Sequence, residues 1–200
     1  MVANARTDLK GLRDCALLLL GFAGAFRRSE LVALDIADLQ FCAGGLRVTI
    51  RRSKTDQEGL GATIAIVPGS AACPIRAVHA WITASKISDG PLFRPATRNG
   101  KISKRRLSGR AVAEVVKKYA RSGGLKATDF SGHSLRSGFL TSAAARGASI
   151  FKMMDVSRQT RPDRSLRVSM QLLGSGWNRP LAESKPAIRR QKDFSCRHCP

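Results

Sequence analysis

Acidic side chains are scarce in this sequence. Against 35 Lys and Arg stand 14 Asp and Glu, leaving a net charge of +21 and a sequence pI near 11.3. A surplus of that size points to a polyanionic partner, because cations that neutralise phosphates release the counterions condensed around them. A basic coat that serves only solubility is the competing reading. Long apolar runs are also missing. The longest, Ala16 to Ala25, is interrupted by Gly21 and Gly24 and is too short to cross a bilayer. There is no basic amphipathic helix with a bulky apolar face to suggest a membrane surface. No charged start followed by an apolar stretch reads as a secretory signal, so a cytoplasmic location is the default expectation. Five cysteines are scattered without framework spacing, which excludes a disulfide scaffold. Cys15, Cys42 and Cys73 read as buried small hydrophobes in a reducing compartment. Cys196-Arg197-His198-Cys199 is half of a zinc site with no second ligand pair, so neither a metal nor a small-molecule cofactor is expected. Tyrosine occurs once, as Tyr119.

What is present suffices for a core. With 43% hydrophobic residues in 200 and a mean hydropathy of −0.15, the chain fits about one domain. Thr7 or Asp8 can cap a helix to about Phe22, whose apolar positions Leu9, Leu12, Ala16, Leu17, Leu20 and Ala23 recur at helical spacing. Ser29 and Glu30 start a short helix through Leu34. Gly44-Gly45 is a turn between extended pieces, and Leu46, Val48 and Ile50 share one face of a strand. Ile64 and Ile66 repeat that alternation over Ala62 to Val67, with Ser53 to Gly59 as the polar hairpin loop between. Pro74 opens a helix to about Ser85, and Leu92-Phe93 suits a short extended piece before the basic loop Gly100 to Arg106. Ser108 caps a helix to about Ser122 that ends at Gly123-Gly124. Helices over Ser134 to Arg146 and Ser149 to Val156 complete the pattern.

From Ser157 the character changes. Residues 157–200 hold ten Lys/Arg, three Asp/Glu and four of the eight prolines, without periodicity, and read as a disordered or loosely attached tail. The remainder keeps 25 basic residues against 11 acidic ones, a net charge of +14, so the polyanion argument does not need the tail.

Three separated motifs carry chemistry. Gly24-Ala25-Phe26-Arg27-Arg28-Ser29-Glu30-Leu31 places an arginine pair at a helix entry. Lys54 lies in the hairpin loop. Gly132-His133-Ser134-Leu135-Arg136 sets a histidine and an arginine three residues apart at a helix start. Singly, each has a bland reading as a solvated charge or a structural histidine. In this order, the R-x-S-E-L, K and H-x-L-R set resembles the tyrosine recombinases, the phage integrases and Xer- and Cre-type enzymes, over roughly residues 5–158. The resemblance implies a mixed α/β (α+β) catalytic fold, mostly helical with a small antiparallel sheet. It implies double-stranded DNA as partner, with other recombinase protomers as further candidates. It implies strand breakage and rejoining of the kind found in DNA integration and mobile elements. Arg27, Lys54, His133 and Arg136 then match the family's catalytic set, and Glu30 the carboxylate that supports the histidine. The chemistry suits such groups. Two guanidiniums can clamp the non-bridging oxygens of a phosphodiester as negative charge builds, a lysine on a hairpin tip can protonate the leaving oxygen, and a histidine can serve as base. His79, beside apolar helix positions, reads as a core histidine instead.

The sequence departs from the family where the nucleophile belongs. Phe151 to Arg158 runs true to type, but Gln159 stands where the family usually has His, and no tyrosine follows. Tyr119 falls at an apolar helix position and reads as a packing residue. No residue is therefore placed as nucleophile. A reading-frame shift near Ser157 to Thr160 would account for this; a serine such as Ser165 or Ser169 acting instead is the rival. The family's N-terminal DNA-clamping domain is also absent, so residues 1–158 are expected to be a catalytic domain alone and 159–200 a basic tail. Three functions follow as candidates: a catalytic domain defective in cleavage, an enzyme using a tyrosine supplied in trans, or a non-enzymatic DNA-binding remnant that competes for recombination sites. The core is expected to hold Leu17, Leu20, Leu31, Val78, Val115 and Leu140, with apolar surface left exposed near Phe151 and Met154.

Overall fold

The computed structural model describes residues 5, 7–51, 61–70, 72–97 and 99–159, and the account below concerns these. Helix α1, Leu9–Ala23, begins where Asp8 accepts the Gly11 N–H at 2.8 Å. Helix α2, Arg28–Ala33, follows after a tight bend, and a single 3-10 turn over Ile36–Asp38 leads into the sheet. Strands β1 (Leu39–Cys42), β2 (Gly45–Ile50) and β3 (Ala62–Ile66) form an antiparallel sheet in the order β1-β2-β3. Its register pairs Cys42 with Gly45 across the first turn, and Leu46 with Ile66 and Ile50 with Ala62 across the second pair. The alternation expected of β2 is present, since Leu46, Val48 and Ile50 are all buried.

Four more α-helices follow among the described residues: α3 (Pro74–Ser85), α4 (Gly109–Ser122), α5 (Ser134–Ala145) and α6 (Ile150–Ser157). Ser108 and Ser149 cap α4 and α6 by accepting the Ala111 and Lys152 backbone N–H groups at 3.2 and 3.3 Å. The architecture is the expected one, a mostly helical body with a small sheet. Helix α1 is its axis, packed against α3, α5, α4 and α2. All six residues expected in the core are there, from Leu17, Leu20, Val78 and Leu140 at 0% exposure to Val115 at 6%.

Trp81 of α3 is fully buried, and its indole N–H donates to the Leu92 carbonyl at 2.9 Å. Leu92 in turn donates to Leu34 at 2.9 Å, and Pro91 bridges to Asp35, so the buried Leu92-Phe93 piece ties α3 to the end of α2. Two expectations fail. His79 is exposed, with its ring edge-on to Phe41 at 6.1 Å, because it points off the α3 face opposite the buried Val78 and Trp81. Of the first three cysteines only Cys73 is buried; Cys15 and Cys42 are half-buried.

Helices α5 and α6 make a separate small cluster of Leu140, Ala144 and Met153, with Phe139, Ile150 and Met154 packed at its margin. Phe151 stands out at 59% exposure, as expected, whereas Met154 is half-buried in this cluster. Leu140→Ala should therefore lower stability by about 2–5 kcal/mol, while Phe151→Ala should stay within about 0.5 kcal/mol of wild type. Urea unfolding of the two variants checks both values; equal losses would show that α6 is not packed as described.

Candidate functional site

The segment that leaves α1 builds the site. Ala25 adopts φ +46°, a left-handed conformation uncommon for a residue with a side chain, and its N–H and that of Phe26 turn back to Phe22 and Gly21 at 3.1 Å. Gly24 is required next to it, since a methyl group there would stand 2.2 Å from the buried Phe26 ring. The bend delivers Arg27 to the N-cap of α2 and Glu30 to its third position.

Glu30 is the hub. Its side chain is 1% exposed, yet it carries two guanidiniums: Arg27 Nη1 lies 2.6 Å from Oε1 and Arg158 Nη2 2.8 Å from Oε2. The Arg27 backbone N–H also donates to Oε2 at 2.8 Å. Burial by itself pushes the Glu30 carboxyl up, but the Arg158 charge, the two Arg27 hydrogen bonds and the Arg27 charge outweigh it and hold the group below its ordinary value. Among the described residues its hydrogen bonds reach Arg27 and Arg158, and none reaches His133.

Arg136, in the first turn of α5, is 6% exposed and donates from Nη1 to the Ala25 carbonyl at 2.9 Å. Arg27 and Arg136 are thereby fastened to one short stretch, residues 24–30, from two different helices. His133 is the N-cap of α5; its backbone N–H donates to Ser131 Oγ at 3.3 Å, and the residue is exposed. Lys54 lies outside the described residues. The end of β2 that leads towards it is anchored: Arg51 donates to Asp38 at 2.7 and 2.8 Å and to Asp35 at 2.5 Å, and Arg106 also holds Asp35 at 2.6 Å. Burial acts to raise the Asp35 carboxyl, and the two arginines more than reverse it.

Arg158 is the participant that sequence reasoning missed. It closes α6 with φ +54°, lies with its guanidinium 5.4 Å from the Phe26 ring centroid, and donates to the carbonyls of Gly24 at 3.1 Å and Ala25 at 3.2 Å as well as to Glu30. Its Nε is buried without a partner among the described residues. An arginine just past a helix end has no periodicity to advertise it; the available signal was Glu30, a carboxylate directly before the apolar Leu31-Val32-Ala33-Leu34 whose burial calls for counter-ions.

Tyr119 is 1% exposed, on α4, with Lys118 Nζ 4.5 Å from its ring centroid and the buried Asp14 beside it. Burial, then the Asp14 charge, raises its phenol above the ordinary value. Such a group is packed rather than presented for attack. Gln159 donates its backbone N–H to Met154 at 2.9 Å and accepts from Ser157 Oγ at 3.2 Å; the tail from 160 on, with Ser165, Ser169, Cys196 and Cys199, lies outside the described residues. Among the described residues no cluster of His, Cys, Asp or Glu is arranged to hold a metal ion, and no helix is long and apolar enough to cross a membrane.

Residues 1–157 match the Phage integrase family. The chain is 47% identical over 155 residues to an integrase/recombinase XerD homolog of Selenomonas ruminantium, covering 76% of this chain and 45% of that protein. It is 28% identical over 191 residues to the tyrosine recombinase XerC of Pelotomaculum thermopropionicum, covering 90% and 56%. The chain thus spans about half the length of the curated relatives it matches. Among solved structures, the XerH site-specific recombinase bound to palindromic difH substrate in a post-cleavage complex superposes with a TM-score of 0.64 at 16% identity, over 84% of this chain and 44% of that one. The XerA recombinase superposes with a TM-score of 0.54 at 15% identity, over 84% and 62%.

Removing Arg158 would leave a buried carboxylate with half its compensation. Arg158→Ala should destabilise the fold by about 3–5 kcal/mol, measured by urea unfolding. The pH dependence follows from the lowered Glu30 carboxyl: its contribution is complete above the ordinary carboxylate value of about 4.3 and is lost as pH falls through the lower folded value. Acid unfolding of Glu30→Gln should lack this part of the pH dependence, and a variant curve parallel to wild type below about pH 4 would refute the coupling.

Proposed function

The chain belongs to the Phage integrase family, and from that premise we propose that residues 1–158 are the catalytic domain of a site-specific DNA recombinase that binds duplex DNA and holds a phosphodiester for strand transfer. The observation that carries this reading is the joint fastening of Arg27 and Arg136 to residues 24–30, by Glu30 and by the Ala25 carbonyl. Two guanidiniums preset in this way stabilise charge developing on non-bridging oxygens without reorganising during the reaction. His133, exposed at the start of α5, takes the proton of the attacking hydroxyl, and Lys54 on the hairpin protonates the leaving oxygen. The recombinase names of the relatives, and the difH substrate to which the XerH recombinase is bound, agree with double-stranded DNA as partner.

The attacking group is the missing part. The sole tyrosine of these 200 residues is Tyr119, buried beside Asp14 and Lys118. We infer that this chain binds and positions DNA but does not cleave it alone, and that a phenol supplied by another recombinase protomer completes the site. A regulator that occupies recombination sites without cleaving is the second reading, favoured by the same burial of Tyr119.

A nicked suicide substrate separates these outcomes. The chain alone should bind duplex DNA with strong salt dependence and form no covalent adduct; adding an intact relative should produce one. An adduct formed by the chain alone would overturn the inference about cleavage. Failure to bind duplex DNA at low salt would overturn the function as a whole, and binding without any adduct in the mixture would leave the regulator reading standing.

A further inference from the structure

Arg28, the second residue of the arginine pair, is not among the groups assigned above, and its surroundings are unusual. It is the first residue of α2, it is exposed, and among the described residues it has no hydrogen-bond or ion-pair partner. Its stem is nevertheless closely packed. A methyl group on Gly132 would stand 2.5 Å from Arg28 Cδ and 3.2 Å from Nε, and one on Gly109 would stand 3.1 Å from Nε and 3.3 Å from Cδ. Two glycines on separate elements, one opening α4 and one immediately before His133, thus leave a channel in which the aliphatic part of Arg28 lies.

Holding a long cationic side chain in one conformation costs rotamer freedom. Here the packing of the stem offsets that cost before any partner arrives, while the guanidinium remains solvated and unpaired. The carboxylates of this region are already engaged, Glu30 by Arg27 and Arg158, and Asp35 by Arg51 and Arg106. A planar, pre-aligned, unpaired guanidinium suits a ligand offering two oxygens, and phosphate is such a ligand. Arg27 turns inward to Glu30 while Arg28 turns along the glycines beside His133, so the two do not converge on the same oxygens.

We propose that Arg28 is a phosphate-binding residue that grips a DNA backbone phosphate neighbouring the one held by Arg27 and Arg136, with Gly109 and Gly132 setting the path of its side chain. The assignment rests on the reading of this domain as a DNA-binding one and adds to it a residue that fixes where the strand lies.

The test measures duplex affinity against salt for the full chain. Arg28→Ala should lower the magnitude of the salt slope by about one, with its thermal unfolding unchanged; Arg28→Lys should recover the slope, since a lysine keeps the charge. Lys86→Ala, which removes the same charge from an exposed position at the end of α3, should leave the slope closer to wild type. Gly132→Ala should weaken binding by displacing Arg28, and should cost much less in an Arg28→Ala background. A wild-type chain that does not bind duplex DNA overturns the function and this assignment together. Wild-type binding with an unaltered slope in Arg28→Ala, an equal loss in Lys86→Ala, or a Gly132→Ala effect independent of residue 28 overturns the Arg28 assignment alone.

Discussion

A carboxylate cannot be placed in an apolar interior without cations beside it, and the site region is organised around that constraint. Glu30 is 2% exposed as a residue, on a six-residue helix too short to be stable by itself. Its charge is neutralised from both sides, by Arg27 within its own turn and by Arg158 from the far end of α6. Because the second cation comes from 128 positions later in the chain, the ion pair closes the domain as well as the site. The chain must complete α6 before Arg158 can reach Glu30, and α6 packs through the small cluster of Leu140, Ala144 and Met153 with Phe139, Ile150 and Met154 at its margin. The electrostatic and packing demands therefore fall on the same joint.

The backbone between α1 and α2 shows what this arrangement requires locally. Ala25 occupies a left-handed conformation that costs on the order of 1–3 kcal/mol for a residue with a side chain. In return its carbonyl accepts from two guanidiniums, that of the buried Arg136 at 2.9 Å and that of the half-buried Arg158 at 3.2 Å. A hydrogen bond from a charged donor contributes about 1.5–3 kcal/mol, so the pair offsets the strain and also gives two cations a neutral partner that leaves their charge available to an anion. Arginine is suited to this double use. Its planar fork has five donors, so one guanidinium can serve several acceptors at once, as that of Arg158 does with Gly24, Ala25 and Glu30.

How far this was legible in the sequence depends on the range of the physics. Periodicity found α1, α4 and the buried face of β2, because burial along one element repeats at a spacing that composition records. The caps were legible in part for the same reason, each being a local hydrogen bond: Asp8 as one of two candidates and Ser108 outright, whereas Ser149 was read only as the first residue of its helix. Arg27, Glu30, His133 and Arg136 stood out as a set through their order and spacing, and the fold brings Arg27, Glu30 and Arg136 to one backbone segment. Arg158 did not stand out, since its partners Gly24 and Glu30 lie 134 and 128 positions away and nothing local requires it. His79 misled because apolar neighbours in sequence do not place a residue on the apolar face; Val78 and Trp81 take that face and turn His79 outward. The small residues Gly109 and Gly132 look like an ordinary helix start and loop until Arg28 is seen lying across both.

Holding a phosphodiester and attacking it are separable tasks, and on the proposed function the contacts of Arg27 and Arg136 serve the first. Glu30, Ala25 and Arg158 take part in the bonds that position Arg27 and Arg136, and the phenol of Tyr119 is not among the partners in those bonds. An electrostatic clamp of this kind gains its strength from being rigid before the ligand binds. An attacking phenol has the opposite requirement, since it must reach the phosphorus in line and then carry a covalent strand. A clamp whose internal bonds do not include the nucleophile can retain its geometry when that group comes from another molecule. On the proposed function, the buried Glu30 pair is therefore the feature that presets the phosphate clamp, and the attacking hydroxyl stands outside its network.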